Sequence, residues 1–77
     1  MKRSDVDDQH VIDLARAWQD AGPTFATPGV VDALVAEGVP EKLAVAKVMH
    51  MVRRRLLDYG VSPYYAWPCD PAWMVNP

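Results

Sequence analysis

Glycine and proline interrupt this 77-residue chain at three places, and the interruptions limit how long any regular element can be. In each place a glycine comes one to three residues before a proline, at positions 22–23, 38–40 and 60–63. Glycine accepts the left-handed backbone that ends a helix, and proline cannot continue a helix because it lacks an N–H group. The pattern therefore predicts that no regular element runs through any of these three places.

The first predicted helix occupies the stretch DDQHVIDLARAWQDAG. Asp7 or Asp8 can cap its amino end, where acidic side chains also suit the helix dipole. Its apolar side chains recur at the i, i+3, i+4, i+7 spacing of one buried stripe, formed by Val11, Leu14, Ala15 and Trp18. Gly22 and the proline after it end the helix.

The second predicted helix lies in ATPGVVDALVAEG. Thr27 is a suitable N-cap, and Pro28 fits the first helical position because its missing N–H is not needed there. Gly38 supplies a left-handed stop. The residues expected to be buried are Val30, Val31, Leu34 and Val35.

The third helix is predicted to begin at Pro40, after a connection of two or three residues. Winding at about 100° per residue gathers one apolar face, formed by Val45, Val48, Met49, Val52 and Leu56. Lys47, His50 and Arg54 fall on the opposite side and make a cationic outward stripe. Met51 is expected to be exposed or to cover the tail.

The end of the third helix has two interpretations. Periodicity alone carries the helix to Tyr59 with Gly60 as its cap, which gives a plain three-helix domain with an extended tail. Alternatively the helix stops near Arg54, and LLDYG and YYAWP form two short strands around the turn VSP. Aromatic residues favour strands and Pro63 suits a turn.

The end of the chain is rich in proline and aromatic residues, with four prolines from Pro63 onward. We expect residues 1–77 to form a single domain with a flexible amino terminus at 1–8 and a tail at 68–77. Trp73 and Met74 in that tail either pack on the helices as a clasp or form an exposed patch for a second copy or another protein.

The charges are separated along the chain, although the net formal charge is only −2. Residues 1–41 carry three basic and eight acidic side chains, residues 42–57 carry five basic side chains and no acid, and residues 58–77 carry two acids. A concentrated basic block can bind a polyanion even in an acidic protein. The alternative is a solvated basic face at the carboxyl end of a helix, where cations are favoured.

The composition argues against several functions. The single cysteine, Cys69, cannot close an internal disulfide, which favours a reducing, cytoplasmic setting. No apolar run approaches the roughly 18–20 residues of a membrane span, so no membrane association is expected, and neither is a secretory signal. His10, His50 and Cys69 are too few and too scattered for a metal site or an activated nucleophile. We therefore predict no enzyme activity, no metal and no cofactor.

Two motifs resemble stretches of a known family. Gly38, Pro40 and Lys42 form a Gly-x-Pro-x-Lys turn, and LLDYGVS at 56–62 is similar to a Leu-Ile-Glu-Tyr-Gly-Val-Ser stretch that precedes a tryptophan, here Trp67. This combination resembles a set of small, uncharacterised phage and actinobacterial proteins over residues 27–67. The order of elements resembles a winged helix-turn-helix domain, although Arg55 stands where that family usually has a glycine.

The resemblance implies a mainly α, three-helix winged fold whose third helix lies in the major groove of double-stranded DNA. The side chains expected to face the groove are Lys47, His50 and Arg54, and those expected to flank it are Lys42, Arg53 and Arg55. The implied function is that of a DNA-binding regulator or an accessory, excisionase-like protein, encoded by a phage and acting in the host cytoplasm. The alternative is a protein-interaction module of host-takeover or inhibitor type that acts through the aromatic tail.

Overall fold

The computed structural model describes residues 2–22, 24 and 27–69. These residues form three α-helices and a two-stranded hairpin, with one 3-10 turn before the first helix and another between the strands. The elements are α1 (Asp8–Asp20), α2 (Val30–Ala36), α3 (Glu41–Arg53), β1 (Leu57–Asp58), β2 (Trp67–Pro68) and the 3-10 helices Arg3–Asp5 and Pro63–Tyr65. The predicted mainly helical fold with a short hairpin is confirmed, and the alternative of a plain three-helix domain is wrong.

The hairpin is antiparallel, with Leu57 opposite Pro68 and Asp58 opposite Trp67. Its first strand packs on α3, whereas its second strand packs mainly on α1. Leu57 is fully buried between these elements. The hairpin therefore ties the first helix to the third, which a core of this size needs.

The ends of α2 and α3 explain why neither helix runs further. At the end of α3 the N–H of Leu56 donates to the carbonyl of Met51 at 2.9 Å, and Arg55 adopts a left-handed φ of 64°. At the end of α2 the N–H of Val39 donates to the carbonyl of Leu34 at 3.0 Å, and Gly38 has a φ of 100°. Both are Schellman-type ends, so the predicted stop at Gly38 is confirmed and α3 stops before Tyr59.

The start of α2 differs from the prediction. Gly29, and not Thr27, is the N-cap, and Pro28 precedes the helix. The Thr27 hydroxyl donates instead to the carbonyl of Thr24 at 3.1 Å. A Cβ placed on Gly29 would lie 1.9 Å from the carbonyl oxygen of Tyr64, so the glycine allows the connection between the strands to lie against α2. The residue type of Thr27 alone predicts an N-cap there, and nothing in the sequence indicates the contact between Gly29 and Tyr64.

The core lies where the three helices and the hairpin meet, and Val6 of the amino-terminal segment joins it. Its fully buried larger side chains are Leu34, Met51, Leu57, Val11, Val30, Val31 and Val48. Val35, predicted to be buried, is 40% exposed because α2 offers only its other side to the core. Val6 is buried in the segment expected to be flexible, where Arg3–Asp5 also forms a 3-10 turn.

The third helix is rotated relative to the prediction. Its buried residues are Ala44, Lys47, Val48 and Met51. Val45, Val52 and Leu56 are only half-buried at the edge of the core, and Met49 is half-buried as well. The predicted core face is therefore confirmed in full only at Val48: Val45, Val52 and Leu56 pack at the edge of the core, Met49 is not part of it, and the expected exposure of Met51 is wrong.

Changing Gly29 to alanine is predicted to destabilise the protein, because the added methyl group overlaps the Tyr64 carbonyl and the backbone must move. Overpacking of this kind costs about 1–3 kcal/mol. Gly60→Ala is the matched control, since its Cβ would meet only the Trp67 ring at 3.6 Å. Urea unfolding of both variants measures the difference, and equal stability of the two would contradict the packing described here.

Candidate nucleic-acid interface

The side of α3 that faces away from the core carries Lys42, Ala46, Met49 and Arg53, a set we call the outer face. These residues follow the i, i+4, i+7, i+11 spacing of one helix face. Lys42, Ala46 and Arg53 are exposed and Met49 is half-buried. The outer face thus has a cation near each end, a small residue between them and no carboxylate.

Lys47 does not point outward, which corrects the predicted cationic stripe. Its side chain is 5% exposed, and its ammonium group donates to Oδ1 of Asp8, the first residue of α1. Arg54 Nη1 donates to the other oxygen, Oδ2, at 2.9 Å. One carboxylate therefore pairs with two of the three side chains expected to face a DNA groove.

The Asp8 carboxylate is stabilised in its charged form by these partners. The hydrogen bond from Lys47, followed by the one from Arg54, lowers the pKa of Asp8 below its ordinary value of 3.8, although burial opposes the shift. Asp7 is the N-cap of α1, and its carboxylate accepts from the N–H of His10 at 3.1 Å. The two neighbouring aspartates thus have different roles, one as helix cap and one as ion-pair partner of α3.

A cleft of about 400 Å³ lies between the amino-terminal segment and the second half of α3; we call it the amino-terminal cleft. Its ionisable lining is Arg3, Asp7, Asp8, Lys47, His50 and Arg54, with Ser4 and Val6 between them. His50 is half-buried there. Burial, followed by the nearby Arg3, Arg54 and Lys47, lowers the pKa of His50. The His50 ring thus lies near three cations, with the carboxylate of Asp8 opposing their effect.

One of the acidic residues near the turn between α2 and α3 is paired with a side chain of another element. The Glu37 carboxylate lies 2.7 Å from Nε2 of His10 on α1. Glu41, at the start of α3, acts on Tyr64: burial, followed by the charge of Glu41, raises the pKa of Tyr64. The contact with His10 draws the Glu37 carboxylate toward α1, which lowers the repulsion that a polyanion at α3 would meet.

The structure therefore divides the six predicted DNA-contact residues into two groups and a single residue. Lys42 and Arg53 share the outer face, whereas Lys47, His50 and Arg54 line the cleft. Arg55 is exposed just after the end of α3. Trp73 and Met74 lie outside the described residues, so the predicted tail patch stays a prediction.

Sequence reasoning missed Asp8 and Arg3 as parts of the site. Asp8 lies 39 residues before Lys47, and no local spacing connects them. The available signal was the Asp7–Asp8 doublet, because one aspartate is enough to cap a helix.

Cys69 is a free, half-buried thiol just after β2. Burial, and after it the charge of Asp58, raises the pKa of Cys69, which disfavours the reactive thiolate. Among the described residues no cluster of three or more His, Cys, Asp or Glu side chains could hold a metal ion.

No protein-family model, curated protein or solved structure matches this chain. The winged-helix resemblance therefore stays an expectation that depends on the motifs at 38–42 and 56–67. Over the described residues, no helix is long and apolar enough to cross a membrane.

Asp8→Ala is predicted to destabilise the fold because it leaves the buried Lys47 ammonium without its partner. Stranding a buried polar group costs about 1–3 kcal/mol. Lys47→Met is the matched variant: it fills a similar volume with an apolar side chain and leaves Asp8 paired with Arg54. Replacement of a buried ion pair by apolar side chains is often neutral or stabilising. In thermal melts the melting temperature of Asp8→Ala should therefore fall below that of wild type, whereas that of Lys47→Met should stay similar or rise.

The pH dependence of the stability difference between wild type and Asp8→Ala tests whether the ion pairs of Asp8 cause that difference. Because the pKa of Asp8 is lowered in the folded state, its stabilisation is present above the unfolded value of 3.8 and is lost as the pH falls through the folded value. The stability gap between wild type and Asp8→Ala should therefore be full at pH 7 and narrow in strong acid. A gap that does not change with pH would argue against the ion pairs.

Proposed function

We propose that this chain is a small domain that binds double-stranded DNA by placing the outer face of α3 in the major groove. The observation that carries the proposal is the composition of that face. Apart from the half-buried Met49 it is exposed, it carries Lys42 and Arg53 without an acid, and Ala46 between them leaves room for close approach. Lys42 and Arg53 are 11 residues apart, or about 16 Å along the axis, so one face could span a groove.

The other elements suit a winged-helix arrangement. The chain passes from α2 through a short turn into α3, and the hairpin follows at once. The segment that joins the strands would be the wing, and Val61 near its tip is 84% exposed. Residues 57–69 contain no lysine or arginine, so this wing would add shape and hydrogen bonds but little phosphate attraction.

The chemistry expected of each cation differs. Arg53 presents a planar group that can donate two hydrogen bonds to guanine O6 and N7, whereas Lys42 acts as a point charge for a phosphate. With few cations and a net charge of −2, affinity for one duplex should be modest. This balance favours a regulator or an accessory, excisionase-like protein that binds cooperatively or with a partner, in the cytoplasm of a phage-infected host.

The test is a fluorescence-anisotropy titration of random duplex DNA at about 50 and 200 mM salt, where non-specific binding in the micromolar range is expected. Lys42→Glu with Arg53→Glu should weaken binding by more than tenfold, because four units of charge change on the contacting face. Arg54 is left unchanged, since a glutamate there would disturb the Asp8 pairs.

The control is Arg16→Glu, on an exposed position of α1 outside both the outer face and the cleft. It changes the total charge by two units without altering the proposed contact, so its effect should be much smaller. Absence of binding by wild type at about 50 mM salt, or equal losses per unit of charge at all three positions, would overturn the proposal.

A further inference from the structure

The amino-terminal cleft is lined by more positively charged side chains than carboxylates. Both oxygens of Asp8 are engaged by Lys47 and Arg54, and an oxygen of Asp7 caps α1. Arg3, Lys47 and Arg54 against these two carboxylates leave a formal charge of +1 before His50 is protonated. The cleft is therefore suited to an anion.

The donors that remain have the chemistry for an oxyanion. Arg3 is exposed at the mouth of the cleft, and Ser4 supplies a hydroxyl beside it. Arg54 gives one N–H to Asp8, and a guanidinium has five such donors in all, so others can turn to a ligand. The Asp8 carboxylate acts as a positioning group, because it holds Arg54 at the cleft wall.

We propose that the amino-terminal cleft binds one phosphate group, with Arg3, Arg54 and His50 as its ligands. The phosphate has two sources, a phosphodiester of duplex DNA lying on α3 or a free phosphate or phosphomonoester. The first source rests on the proposed function, and the second does not. The cleft flanks the His50 side of α3, so a strand leaving the outer face would pass its mouth.

Phosphate binding should be linked to protonation of His50. The charged groups around its ring are Arg3 from the 3-10 turn, Asp8 and Asp7 from the start of α1, and Lys47 and Arg54 from α3. Burial, followed by the cations among them, favours the neutral imidazole. A bound phosphate adds negative charge and favours the protonated form, so binding should take up a proton and tighten as the pH falls from about 7.5 to 6.

The experiment uses the full chain and two ligands. Amide chemical shifts of Ser4, His50 and Arg54 are followed by NMR during titration with inorganic phosphate against chloride of equal ionic strength. Saturable shifts at these residues are expected, and Arg3→Gln should weaken phosphate binding about 5- to 10-fold because one charge-assisted hydrogen bond is lost. Arg16→Gln, outside the cleft, should leave it unchanged. His50→Gln should remove the difference between the two pH values beyond the titration of phosphate itself.

The outcomes separate this inference from the proposed function. In the first outcome, Arg3→Gln also weakens duplex binding, and the slope of log K against log salt concentration falls by about the amount of one phosphate contact. The ligand is then the DNA backbone. If phosphate binds but duplex DNA does not, the cleft takes a free phosphate and the proposed function fails. If phosphate causes no saturable shift, or Arg3→Gln and Arg16→Gln behave alike with both ligands, the cleft inference is overturned, whatever Lys42 and Arg53 do on DNA.

Discussion

The carboxylate of Asp8 connects the beginning of this chain to its third helix, and the orientation of α3 depends on that connection. The Lys47 side chain is buried because its ammonium group forms an ion pair with the Asp8 carboxylate. Arg54 donates to the other oxygen of the same carboxylate. A buried ammonium without a partner would be too costly to tolerate. Once Lys47 faces inward, the opposite side of the helix, with Lys42 and Arg53, must face solvent. The pair thus decides which residues of α3 can meet another molecule.

This interaction also shows where prediction from sequence succeeds and where it stops. The three helices, the stop at Gly38 and the hairpin after α3 follow from local rules, because glycine, proline and aromatic residues constrain the backbone nearby. Local rules did not predict which side of α3 faces the core. Its valines suggested one core face, but the buried set includes Lys47, an ionisable residue whose burial depends on an aspartate far away in the chain.

The candidate site was predictable in composition but not in arrangement. Most of the basic block at 42–57 lies on α3, where Lys42 and Arg53 are exposed. The sequence does not show that Lys42 and Arg53 lie on a different face from Lys47 and Arg54. It also does not show that Arg3 lies near Arg54 in a cleft; both facts come from the three-dimensional structure. A net charge of −2 is also a poor guide to the local potential, because carboxylates such as Glu37 pair with other parts of the protein. Local pairing therefore allows a basic surface on an acidic chain.

The orientation of α3 can be tested directly with two methionines that stand two residues apart. Met51 is fully buried, whereas Met49 lies on the outer face. With ¹³C-methyl methionine and saturating random duplex DNA at low salt, the Met49 methyl signal should shift or broaden while that of Met51 stays in place. A Met49 signal unchanged by bound DNA, or equal shifts of both methyl groups, would contradict the claim that the outer face of α3 is the surface presented to DNA.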